Sequence, residues 1–395
     1  MDDRSLDSLQ AAAYEHGGSS HMLKRYSQAL AAVALAWFSG AANAQQPAST
    51  AQAAAECSTC APACETSCGG FYGSAGVLFL KGCTNSNNAY SSFDCPYHNG
   101  MATSHFTTIY DFENGINLGY RAEVGYTNAC GWGARVRYFH YESTATFTTI
   151  DNLPDRPNAV GDGLISVKNS ASPLGIQFSS VGNDVDPSFL VFQNNIRVSI
   201  WDLEATKNTR CGCLDLTWSA GLRYLQINQQ YNADEALINL PPSDSFPPAS
   251  TIDQHIRSSS TMNGLGPILG LEGRHTLWDS LRVYGAGRVG FIFCDGHQEA
   301  FYLGNFNPQF EIAPVTRSAS ESRSKMVTNA EVEVGLEYGY ELSRNSELYV
   351  RTGLVGMVFG GVGNSSRSSI GAPADDPKNE NLSLFGLNVS VGVRY

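Results

Sequence analysis

The chain has 395 residues and a formal net charge of −12 at neutral pH, from 37 acids against 25 bases. That balance excludes the basic surface a nucleic-acid partner needs. Glycine is plentiful at 39, the chain carries 18 tyrosines and 19 phenylalanines, and lysine is scarce, a composition that suits an aromatic-rich strand wall better than a soluble surface.

In chain order, Met22-Leu23-Lys24-Arg25 is a basic start, Gln28 to Phe38 an apolar run, and Ala42-Asn43-Ala44 a small-x-small cleavage site. Residues 22–44 therefore read as a secretory signal peptide, too short to anchor in a membrane. Residues 1–21 read as an over-called upstream start. Cleavage after Ala44 removes four acids and three bases and leaves a net charge of −11. An exported chain of this size without an apolar helix is either a soluble protein or a β-barrel of the outer membrane. Residues 45–70 form a low-complexity leader ending in Cys57, Cys60, Cys64 and Cys68.

Residues 71–395 hold ten strand candidates: 71–81, 112–126, 132–147, 188–205, 213–230, 256–273, 278–293, 323–342, 347–361 and 381–395. Alternation of apolar and polar residues defines them. The clearest sets Ala330, Val332, Val334, Leu336, Tyr338 and Tyr340 on one face, and Glu331, Glu333, Glu337 and Glu341 on the other. In the last, Phe385, Leu387, Val389, Val391, Val393 and Tyr395 oppose Asn388, Ser390 and Arg394. The connections alternate long and short, with short turns expected at 127–131, 206–212, around His275 and at 343–346. Long loops on one side and short turns on the other are the pattern of an outer-membrane barrel. The expected fold is thus all-β: a transmembrane antiparallel up-and-down barrel of ten strands, or twelve if a further hairpin hides in 148–187. Trp132, Trp201, Trp218 and Trp278 fall near the expected short turns, where a periplasmic aromatic girdle belongs. Trp201 is out of phase with Ile196, Val198 and Ile200.

Charged side chains facing lipid cost about 2–4 kcal/mol at the midplane for Arg or Lys. Arg121, Glu123, Arg135, Arg137, Asp215, Arg223, Glu331, Glu333, Glu337 and Arg394 are therefore expected in the lumen. They would line a polar channel or neutralise one another as a plug. About eight strands are filled by side chains and 16–18 leave an aqueous channel, so ten lie near the filled end.

Export allows disulfides. The candidates are Cys57, Cys60, Cys64 and Cys68 in the leader, Cys83 with Cys95 in the first long loop, and Cys130, Cys211 and Cys213 in adjacent short turns. The leader spacing does not suit a zinc knot, so no metal or cofactor is expected. Asp295, His297 and His140 lie toward the outer rim, where an acid and a His would activate water. No nucleophile motif accompanies them, and the reading is non-enzymatic.

The opening strand GFYGSAGVLFLKG, the GYRAEVGY…GWGARVRYFHY hairpin, NGLGPILGLEGRH and the terminal VSVGVRY together resemble the Legionella-type major outer membrane proteins. That resemblance implies a pore-forming outer-membrane barrel, here one passing small polar solutes through an Arg/Glu-lined lumen. The rival readings are a barrel protease or lipid hydrolase, and a plugged structural or adhesive barrel acting through its extracellular loops. The expected partners are outer-membrane lipid, the barrel-assembly machinery through the strand ending at Tyr395, and disulfide-linked or homo-oligomeric copies.

Overall fold

The structure, a computed structural model, describes residues 60–61, 69–84, 88–98, 101–102, 106–151, 163–170, 179–181, 188–211, 214–237, 252–278, 280–306, 314–343, 346–363, 365 and 381–395. The signal peptide, Cys57, Cys64, Cys68 and Cys213 lie outside these residues, as do the side chains of Cys60, Cys95 and Cys211.

Sixteen strands are present among the described residues: β1 (Cys60–Ala61), β2 (Gly70–Thr84), β3 (Asn88–His98), β4 (Met101–Ala102), β5 (Phe106–Asp111), β6 (Ile116–Thr127), β7 (Trp132–Asp151), β8 (Gly163–Ser170), β9 (Ser179–Val181), β10 (Ser188–Cys211), β11 (Leu214–Leu237), β12 (Ile252–Trp278), β13 (Leu281–Phe306), β14 (Val315–Ser343), β15 (Ser346–Gly360) and β16 (Leu382–Arg394). Ten of them close a ring in the order β2-β6-β7-β10-β11-β12-β13-β14-β15-β16. Strand β16 pairs with β2 from Leu382↔Thr84 to Arg394↔Tyr72, and β10 pairs with β7. Closure leaves no sheet edge, which is the condition for a sheet to span lipid.

Two-residue periodicity decides which side chain goes where. Phe385, Leu387, Val389 and Val391 point outward and are exposed, whereas Leu384, Asn388 and Ser390 point inward and are buried. The outward set across the ring, including Leu118, Val124, Leu203, Leu222, Leu269, Phe291, Leu336 and Leu354, forms an exposed apolar band. Trp132, Trp218 and Trp278 are exposed near the short turns. Trp201 is exposed too, but farther up its strand, with its ring 4.4 Å from that of Tyr138. Its phase is regular: Ile196, Val198 and Ile200 face the lumen and are buried.

Several boundaries differ from the sequence reading. Strand β10 continues to Cys211, so the segment expected as a turn at 206–212 is strand through Cys211. Lys207, Asn208 and Arg210 have turn-like composition, but Lys207 lies over the Trp132 ring and Asn208 accepts a hydrogen bond from Thr217. Strand β12 continues to Trp278, so His275, expected at the third turn, lies within strand. The first turn is where expected; Gly131 takes a φ of 76° there, which a side chain would disfavour. At the other end the strands run much farther. Strands β12, β13 and β14 have 27, 26 and 29 residues, against the roughly 9–11 that span a bilayer. Segments expected as loops at 148–187 and in the first long connection also contribute a second, five-stranded sheet of β3, β4, β5, β8 and β9.

The filled lumen and the outer mouth

The inward side chains fall into three groups. The first, toward the short turns, is ionic. Arg121 makes a double hydrogen bond to Glu333, at 2.7 and 3.0 Å. Arg137 reaches Glu331 at 2.8 Å and Asp202 at 3.4 Å. Arg223 clamps Asp202 at 2.6 and 2.7 Å and donates to Asn329. Arg135 pairs with Glu204 and, at 3.3 Å, with Glu272; it also lies 3.7 Å from Glu123. Farther round, Glu337 accepts from Arg351 at 2.5 Å, Arg394 at 2.7 Å and Arg282 at 3.0 Å. Two neutral groups join in, with the Tyr284 hydroxyl and the Asn388 amide donating to Glu333 at 2.6 and 2.8 Å.

Burial, not mere proximity, sets the character of this layer. Arg223 is 1% exposed and Glu337 0%. Taking such charges out of water is expensive, and only multiple hydrogen bonds make it tolerable. The guanidinium forks supply those bonds.

A second group of inward side chains is apolar. Leu78, Leu80, Phe139, Ile196, Val198, Ile200, Leu225, Ile227, Met262, Ile292, Val327, Val355, Met357, Phe359 and Leu384 form one buried cluster. Val362 and Ser365, from the connection after β15, are buried as well. Gln229 holds that connection by donating to the Gly363 carbonyl at 3.0 Å and accepting from the Ser365 amide at 3.2 Å.

The third group lies at the outer mouth, where β3 folds inward. Ala89 and Tyr90 are buried against Phe112, Leu190, Phe192, Tyr231, Ala233, Ile256, Ala300 and Tyr302. The Tyr90 ring stacks on Phe192 at 5.0 Å and on Tyr110 at 4.5 Å. The Tyr231 hydroxyl donates to the Ala89 carbonyl at 2.8 Å. A segment expected as surface loop thus packs as a stopper.

Of the residues expected in the lumen, Arg121, Glu123, Arg135, Arg137, Arg223, Glu331, Glu333, Glu337 and Arg394 lie in the ionic group. Asp215 does not. It sits one residue into β11, exposed, 3.5 Å from Arg210 beside the turn. Asp295 and His297 share one face of β13, apart from His140 on β7. Asp295 accepts from Ser324 at 2.6 Å, and His297 contacts Ser322 at 2.9 Å, both on the exposed face. His140 bonds Ser199 at 2.9 Å on the outer wall of β7, on different strands from both. Cys83 and Cys130 are free thiols; Cys213 and the side chains of Cys95 and Cys211, their expected partners, lie outside the described residues. Cys83 sits in the wall of β2 opposite Ser383, rather than in a loop. Cys294 is a free thiol buried in the apolar cluster.

Residues 63–395 match the family described as Legionella pneumophila major outer membrane protein precursor. The chain belongs to that family. Membership and the closed ten-stranded barrel together place this family member in the outer membrane, its short turns on the periplasmic side. No curated protein matches the chain. Among solved structures it is similar to the Escherichia coli outer membrane protease OmpT, at 10% identity over 84% of this chain and 99% of that one, with a TM-score of 0.36. It is also similar to a Pseudomonas aeruginosa FadL homologue, at 8% identity over 85% and 92% with a TM-score of 0.24. The Pseudomonas putida toluene transporter TodX matches at 8% identity over 82% and 89%, with a TM-score of 0.19. Likenesses this distant say nothing about the activity of the present family member.

The ionic group holds residues that strand periodicity did not single out: Asp202, Glu204, Glu272, Arg274, Arg282, Arg288, Glu347 and Arg351. A signal existed. Asp202 and Glu204 share the two-residue phase of Ile196, Val198 and Ile200, so an inward face that changes from aliphatic to acidic along one strand gave both layers away.

Proposed function

We propose that this protein is a sealed outer-membrane barrel that works from its extracellular end, as a structural or adhesive surface protein, rather than a standing open channel or an enzyme. The observation that carries this reading is the filled lumen, in which Leu78, Leu80, Val198, Leu225, Arg223 and Glu337 are at most 1% exposed. A solute crossing the barrel would have to part buried ion pairs, each at about 3–5 kcal/mol if one partner is left unpaired. It would then enter an apolar layer that offers an ion nothing in exchange for its hydration. Each 1.4 kcal/mol is a tenfold loss of population, so two such pairs suffice to make an open state rare. What the barrel does offer is length. Strands β10 to β14 continue far past the bilayer and carry a polar extracellular wall.

Pore formation is the second reading, favoured by the family resemblance and by one feature of the ionic layer. Arg135 and Arg137 each have three carboxylates within 4.0 Å, so partners can exchange without stranding a charge. Deleting residues 88–98 separates the two readings. A barrel shut by its own side chains stays non-conducting without the β3 stopper, whereas a gated pore opens. For the surface role, transplanting the extracellular segments onto an unrelated barrel should transfer any adhesion of the native protein; failure to transfer would count against it.

A further inference from the structure

Strand β1 is a two-residue pairing that sequence analysis had no means to place. Cys60 lies directly opposite Cys211 and Ala61 opposite Arg210, antiparallel on the periplasmic end of β10. The neighbouring β7 covers β10 only as far as Lys207, opposite Trp132. Thus β1 takes up the edge of β10 just where β7 gives it up.

We propose that Cys60 and Cys211 form an intrachain disulfide that fastens the periplasmic leader to the barrel. Directly opposed residues on antiparallel strands have Cα atoms about 4.5–5.5 Å apart, inside the roughly 4.4–6.8 Å span of disulfides. The chain path allows it. Residues 62–69 join β1 to β2, and eight extended residues reach about 26 Å. On the sheet, β10 is three strand spacings from β2, about 14 Å. A two-residue pairing adds too few hydrogen bonds to hold a leader in register by itself, and a covalent tie removes that difficulty. The periplasm permits it. In the reaction two Sγ–H bonds break and one Sγ–Sγ bond forms. The two electrons and two protons pass to an external protein or small-molecule disulfide, which leaves as two thiols. Cys130, in the turn beside this site, is the natural competitor, but it is a free, exposed thiol whose carbonyl accepts from Lys207 at 2.8 Å.

The test is peptide mass spectrometry on mature protein extracted from outer membranes, alkylated without reduction and then digested. The expected result is a Cys60–Cys211 linked peptide that disappears on reduction, with Cys130 alkylated. The variant Cys60→Ala, checked for barrel folding by heat-modifiable gel mobility, should make Cys211 alkylatable without reduction. Cys211 linked to Cys130 or Cys213, both cysteines alkylated from the start, or alkylation that requires prior chelation of zinc would each overturn the proposal. So would a Cys211 that stays blocked in Cys60→Ala.

Discussion

Arg223 shows what a single residue does in this barrel. Its guanidinium is 1% exposed and holds Asp202, Asn329 and Glu331. Arg223→Ala leaves Asp202 and Glu331 short of a counter-charge and is expected to cost about 3–5 kcal/mol, read as a lower urea midpoint for the barrel in lipid. Replacing both partners, as in Arg223→Met with Asp202→Leu, is expected to recover most of that loss, because burying two apolar groups avoids the desolvation both charges pay. Outside the membrane, His255 sits between Asp234 at 2.6 Å and Asp253 at 3.2 Å. The hydrogen bond to Asp234, then the charge of Asp253, raises its pKa above 6.5. Its stabilising contribution is therefore complete below the unfolded value near 6.5 and fades as pH rises through the raised one. In Asp234→Asn the His255 resonance should titrate at lower pH than in the native protein; an unchanged midpoint would refute the pairing. At this scale the sequence was informative where one strand face was uniformly charged, as for Glu331, Glu333 and Glu337. It was misleading for Asp215, whose inward phase is right but whose position is past the end of the lumen.

The strands within the bilayer were legible because lipid imposes a rule on them: one face apolar at every second position. Above the bilayer that rule lapses. Residues 231–237, 252–255, 294–306 and 315–322 are strand, yet their polar composition reads as loop because water lies outside them. Inside, the apolar layer broke the rule the other way. Leu78 and Leu80 face inward while Val77 and Phe79 face outward, so β2 is apolar on both faces and its period is hidden. The β3 stopper was invisible for a different reason. Its burial depends on Phe192, Tyr231 and Tyr302, more than a hundred residues away in the chain. Tyr90→Ala removes the ring between Phe192 and Tyr110 and is expected to cost about 3–5 kcal/mol of local packing. Limited proteolysis should then cut within 85–111 faster than in the native protein, with the barrel itself resistant. Equal cutting rates would mean the stopper is held elsewhere.

For the whole molecule the governing quantity is strand number. Ten strands enclose a lumen narrow enough for side chains to fill, and here Arg–carboxylate pairs, aliphatic side chains and β3 fill it in succession along the axis. The outward face meets lipid, the inward face is its own core, and the long strand extensions present the surface available to other molecules. Single-channel recording of the mature, folded protein in a planar bilayer separates a filled lumen from an open one. A filled lumen gives no steady conductance from a heat-modifiable, fully folded barrel, and none from Arg135→Ala that is folded to the same extent. A steady conductance in the native protein that changes in size with Arg135→Ala or Glu333→Ala would contradict it.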